Sequence, residues 1–291
     1  MNKVIKGFII GACVCIVVGI VFFIGAARAG GINTARALVE DGGIVVGMTE
    51  DELMEWNTAT EHTISLADMD TPSLELELGA GEFEIIESDV TDIVVKSKKN
   101  INVETKGDTI YIHTPEHFVV FSSLNGNHNS IVIQIPKGMQ FEDINIEVGA
   151  GELACPSLNA ESLEMDLGAG RITVENYNCE KAVISVGAGE IIVANGSANE
   201  LDIDVGMGNF VFEGKVAGDL DVDCGMGNVQ MKLYGYEKDY NYAVDCGMGN
   251  ITVGNHSYGG VATDQEIDND AAYDCDLDCG MGNVEIRFTE E

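Results

Sequence analysis

Across 291 residues the chain carries 49 Asp and Glu against 15 Lys and Arg, a net charge of −34. That balance excludes nucleic acid as a direct partner, because phosphate contacts need clustered Lys and Arg. It also disfavours lying flat on anionic lipid, and it favours cations or basic polymers as what the surface attracts.

The segment 1–29 holds Lys3, Lys6 and Arg28 and no acid. From Gly7 to Ala27 the chain is uncharged and mostly apolar, a run long enough to cross a hydrocarbon core. The segment 30–291 then holds 12 bases against 49 acids, a charge of −37. The positive-inside bias predicts one transmembrane helix, with a cytoplasmic N-terminus and everything after Ala29 outside. Ala27-Arg28-Ala29 supports the competing reading, a cleaved signal peptide. Ile10-Gly11-Ala12-Cys13 resembles a lipobox, but the short stretch between Lys3 and Ile10 leaves no room for the apolar region such a site needs.

Residues 30–70 read as a juxtamembrane linker. Thr49-Glu50-Asp51-Glu52 is a capping-box pattern ahead of Leu53, Met54 and Trp56 and predicts a short helix. The remainder, 71–291, reads as a β-solenoid. Residues 87–140 form irregular first coils or hairpins, with a hairpin signal at Lys106-Gly107-Asp108 and a strand at 131–135. The polar stretch 255–273 reads as a protruding loop.

The solenoid reading rests on a glycine pair that recurs eight times, opening at Gly79, Gly149, Gly168, Gly187, Gly206, Gly225, Gly247 and Gly280. From Gly149 to Gly225 the spacing is constant, and it lengthens at Gly247 and again at Gly280. A period near twenty built from short alternating strands means stacked coils, none of which buries its apolar face alone. Before each pair, positions minus one, three and five are apolar, as in Leu201, Ile203 and Val205. After it, alternation resumes at plus four and plus six, as in Phe210 and Phe212. The inward phase slips by one across the pair, which predicts a bulge or corner at which glycine accepts a positive φ. Within the pair stand Ala80, Ala150, Ala169 and Ala188, then Met207, Met226, Met248 and Met281. After it stand Glu82, Glu152, Arg171 and Glu190, then Asn209, Asn228, Asn250 and Asn283, and the Asn column predicts an amide ladder. The architecture expected is all-β, a parallel β-solenoid with coils of about 19–22 residues behind one transmembrane helix.

The columns also sort the candidate chemistry. Cys13 and Cys15 fall in the anchor, and the other six cysteines replace core residues, so they read as buried, reduced thiols. No CxxC pair offers zinc spacing. Met207, Met226, Met248 and Met281 beside Cys224, Cys246 and Cys279 supply soft ligands suited to Cu(I). If both columns point inward, packing accounts for them without metal. His113-Thr114-Pro115-Glu116-His117 matches a zinc-peptidase string that works only on a helix, and Pro115 argues against one. Arg171 beside Glu152 and Glu190 predicts an inter-coil salt bridge rather than a catalytic base. Outward positions minus two and minus four are mostly acidic, which makes one face selectively negative. Asp204, Asp223, Asp245 and Asp278 are the candidates for weak Ca²⁺ association. No other cofactor and no catalytic set is expected.

With the repeats laid out, the chain resembles the bacterial putative-adhesin family, membrane-tethered β-strand-repeat proteins of unknown function. The resemblance covers roughly residues 71–290 and is most specific in Cys279-Gly280-Met281-Gly282-Asn283-Val284-Glu285-Ile286. It implies an extracytoplasmic module of a Gram-positive cell envelope, with some members linked to envelope stress. The expected function is a non-catalytic, adhesin-like or structural envelope module, with cell-wall polymer or a host surface as partners. The alternatives are a polyanionic sensor or decoy for cationic peptides or divalent cations, and a polysaccharide-active β-helix enzyme.

Overall fold

The computed structural model describes residues 37–40, 43–46, 59–98, 101–114, 118–121, 130–259 and 263–289. The transmembrane segment, the short helix expected at 49–56 and the stretch 115–117 lie outside them. Among the described residues there is no α-helix, and no helix long and apolar enough to cross a membrane.

The chain forms two compact units. In the smaller, the strand Gly43–Val46 pairs antiparallel with both Ala37–Glu40 and Phe118–Phe121. Three strands, Ala37–Glu40, Gly43–Val46 and Thr60–Ile64, thus fall in the segment 30–70, which the composition suggested was a linker with a short helix. The larger unit, residues 53–116 and 128–291, holds the glycine repeats.

Each repeat is one rung: a strand in a first sheet, a glycine corner, then a strand in a second sheet. Lys181–Val186 turns at Gly187 into Glu190–Ala198, and Glu200–Val205 turns at Gly206 into Asn209–Val216. Neighbouring rungs pair in parallel, shifted by one repeat, as Ile184 with Ile203 and Ile191 with Phe210. The long strand Glu152–Leu167 serves both sheets, its residues 152–159 in the second and 162–167 in the first. Every inward residue expected at minus one, three and five, and at plus four and six, is buried. Burying a Leu, Ile, Val or Phe is worth about 1.5–3 kcal/mol, so this double column supplies most of the drive to stack.

The corner is held by close approach more than by unusual backbone angles. Of the corner glycines only Gly170, at 111°, has a φ well inside the left-handed region. A Cβ on Gly208 would lie 2.3 Å from the Gly189 carbonyl oxygen, and one on Gly282 would lie 2.4 Å from that of Gly227. The rungs pack backbone on backbone here, and only a hydrogen fits between them. The middle residue donates its N–H to the first glycine of the neighbouring rung, as Met226 to Gly206 at 2.7 Å.

Rung order departs from chain order. The strand Leu220–Cys224 pairs with Tyr273–Cys279, not with Tyr240–Cys246, and Tyr273–Cys279 pairs on its other side with Tyr240–Cys246. The second sheet repeats this, with Asn283–Thr289 lying between Asn228–Tyr234 and Asn250–Val253. The Gly280 rung is therefore inserted between those of Gly225 and Gly247. Something similar happens at the other end. Ser73–Leu78 and Glu82–Ser88 lie between the rung of Phe141 and a rung made by Thr109–His113 and Ser130–Pro136.

The stretch expected as a protruding loop, 255–273, is instead largely an end cap. His256–Gly259 pairs antiparallel with Asn250–Val253, and Thr263–Ile267 pairs antiparallel with Tyr240–Cys246. Their side chains are mostly exposed, so the apolar alternation that marks the other strands is missing and polarity alone suggested a loop. At the N-terminal end Asn102–Lys106 caps the first sheet, while Ile93–Ser97 and Thr60–Ile64 cap the second, all antiparallel. Antiparallel caps close edges that would otherwise template pairing with another chain.

Candidate functional site

The outward side of the first sheet is built by the same alternation that buries its core. Between the inward residues of each strand stand the minus-two and minus-four side chains. Parallel register puts Asp204 opposite Asp223, Asp223 opposite Asp278, and Asp278 opposite Asp245. A second file runs beside it, Asp202 with Asp221 and Asp221 with Asp276. The four candidates thus share one column in the spatial order 204, 223, 278, 245. They stand one per rung, and among the described residues no three His, Cys, Asp or Glu gather into a metal-holding cluster. At the strand spacing of about 4.8 Å, neighbouring like charges repel by roughly 1 kcal/mol even in water.

No Lys or Arg occurs in Glu200–Val205, Leu220–Cys224, Tyr240–Cys246, Tyr273–Cys279 or their cap Thr263–Ile267. On the second sheet bases do occur, and two of them are paired across rungs. Arg171 meets Glu190 at 2.7 Å and Lys232 meets Glu213 at 2.7 Å. The first of these is the inter-coil bridge expected at Arg171.

Toward the N-terminal rungs the same face dips into an open depression of about 250 Å³, lined by Ser73, Glu75, Asp143, Asn145, Ser162 and Glu164 among others. Burial, and then the nearby Asp166, push the Glu164 carboxyl above the usual range. This depression was missed in the sequence, although its signal is there. Ser73, Asp143 and Ser162 share the minus-six column, and Glu75, Asn145 and Glu164 the minus-four column. His113, from the peptidase-like string, is half-buried at the end of the strand Thr109–His113, not on a helix.

The six described cysteines are free and buried. Cys224, Cys279 and Cys246 follow one another on adjacent rungs. Burial pushes the Cys155, Cys179 and Cys224 thiols up to about 12 and raises those of Cys275 and Cys279. They are inert core groups under ordinary conditions. The Asn ladder forms over three of its four rungs: Asn250 donates to Asn283 at 3.4 Å and Asn283 to Asn228 at 3.1 Å. The methionines, by contrast, do not point inward. Met207, Met226, Met281 and Met248 are 44%, 50%, 55% and 69% exposed. They sit at the apex of the corner, where neither strand phase applies.

Against this geometry, a family model described as Toastrack DUF4097 matches residues 72–266. The chain belongs to this family. The Toastrack match begins just before the strand Ser73–Leu78 and ends inside the cap strand Thr263–Ile267, so the inserted Gly280 rung lies beyond it. A comparison with curated proteins found no match. Among solved structures, a putative cell adhesion protein from Clostridium sporogenes is similar at 14% identity, over 80% of this chain and 99% of that one, with a TM-score of 0.34. A putative adhesin from Parabacteroides merdae is similar at 15% identity, over 79% and 96%, with a TM-score of 0.40. A putative lipid binding protein from Parabacteroides distasonis is similar at 19% identity, over 79% and 96%, with a TM-score of 0.36.

Proposed function

We propose that this Toastrack protein is a non-catalytic binding module of the cell envelope, held at the membrane by residues 1–29 and displaying its repeat domain outside. The observation that carries the reading is the first-sheet face from the Gly206 rung to the C-terminal cap. A file of four carboxylates stands there in register beside a second file of three, with no Lys or Arg in the five strands. A face so one-sided concentrates cations and basic polymers from a distance. The apolar run behind Lys3 and Lys6 supports the tether.

The test compares the full chain with a variant in which Asp204, Asp223, Asp245 and Asp278 are changed to Asn. Both are produced in a membrane host, and envelope fractions are captured on each. The wild type should retain a component that is released by raised salt, and the Asn variant should retain less of it. Equal capture by both would remove the face from the reading. Protease added to intact cells should cleave the repeat domain, and full protection would refute the outside placement.

The same face favours a second reading, a decoy for cationic peptides or a store for divalent cations. Because the carboxylates do not converge, ions would be held by the field rather than by a ligand shell. A divalent ion gathers in such a field more strongly than a monovalent one, so millimolar Ca²⁺ should raise the melting temperature more than NaCl of equal ionic strength. An equal rise would leave screening alone.

A further inference from the structure

We propose that the corner methionines Met207, Met226, Met281 and Met248 form a thioether site for a soft monovalent metal ion, Cu(I) being the probe of choice. Three observations carry it. First, the four residues occupy consecutive rungs without interruption. Met226 donates its backbone N–H to Gly206, Met281 to Gly225 and Met248 to Gly280, each at 2.7 Å, so the side chains leave the backbone one above another. The inserted Gly280 rung joins the file rather than breaking it, because it too carries a methionine at this position, Met281.

Second, packing does not account for them. All four are at least 44% exposed, and in the N-terminal rungs the same position is filled by Ala80, Ala150, Ala169 and Ala188. An alanine meets every steric need of the corner. Four exposed methionines in a row add apolar surface to a chain otherwise solvated by charge, without a core contact in return.

Third, the chemistry suits the geometry. Thioethers are soft, neutral ligands that need no deprotonation, and they select Cu(I) over harder cations. Adjacent side chains leave the backbone about 4.8 Å apart. Each has three rotatable bonds, enough for the outer two of any three to lean toward the middle one. Shortly before each methionine in the chain stand Asp204, Asp223, Asp278 and Asp245, whose field draws cations to this edge. The neighbouring soft groups, Cys224, Cys279 and Cys246, are buried, and ionising a buried thiol to make it a ligand is costly. The thioethers are the soft donors that solvent reaches.

The test is anaerobic Cu(I) transfer from a chromophoric Cu(I) chelator, with ascorbate present. The full chain is used in detergent with Cys13→Ser and Cys15→Ser, which removes the two thiols outside the repeat domain. Met226→Leu with Met281→Leu keeps size and apolarity and deletes the two central sulfurs. The parent should take Cu(I) from the chelator, and the double leucine variant should hold it at least tenfold more weakly with an unchanged melting temperature. A Cys224→Val, Cys279→Val variant should bind like the parent. No transfer to the parent, equal affinity in the leucine variant, or loss in the valine variant would each overturn the proposal. The first two leave the file as an apolar contact surface, and the third assigns the metal to the thiols.

Discussion

At the corner a single hydrogen decides the fit. Val186 Cγ1 stands 2.5 Å and the Gly189 oxygen 2.3 Å from where a Cβ on Gly208 would lie, and real side chains do not tolerate such distances. Gly208→Ala should therefore cost about 1–3 kcal/mol, the usual range for forced backbone shifts. Met226→Ala, next to the equivalent glycine Gly227 but at the exposed apex, should stay within about 0.5 kcal/mol of wild type. Urea denaturation of the two variants side by side checks this, and equal losses would refute the close-approach account. The glycines were legible as a repeat, yet their reason was not. Periodicity suggested a backbone angle, whereas the structure shows crowding between rungs, which depends on residues a full repeat away.

On the scale of a strand, the minus-one column changes from Val205 to Cys224, Cys279 and Cys246 without changing its job. Its pH behaviour does change. A free thiol ionises near 8.5, while Cys155, Cys179 and Cys224 are pushed up to about 12 in the fold. Well below the free value of about 8.5 both folded and unfolded chains keep the protons, and the thiols leave stability unaffected by pH. Between about 9 and 12 the unfolded chain releases them first, so stability falls as pH rises. Cys224→Val should match wild type at pH 7 and be the more stable of the two at pH 10, read by denaturant midpoints. A constant difference at both pH values would show that burial does not hold the proton.

For the whole repeat domain, the out-of-order rungs matter most. The last rung in the chain is clamped between two earlier ones, its Cys279 lying opposite both Cys224 and Cys246. What closes the stack is the polar segment 256–267, whose strands cover one edge on each sheet. Replacing residues 256–267 in the full chain by a Gly/Ser linker should bare both edges. Sedimentation should then show concentration-dependent self-association that the parent lacks, and a variant that stays as dispersed as the parent would mean the edges need no cover.

Core and surface were legible without coordinates along every strand of the glycine repeats, because a period of two and a fixed glycine mark leave one phase for each. So was the one-sided acidity, which is that phase read on the opposite face. Three things waited for the tertiary structure. The apex methionines fall at the phase slip, where alternation assigns no side. The cap strands His256–Gly259 and Thr263–Ile267 bring only Tyr258 and Ile267 among their apolar side chains against the core, too few to show an alternation. The rung order is a choice among edges that look alike in sequence, since Cys246 and Cys279 sit in equivalent repeats and only three-dimensional pairing decides which of them meets Cys224.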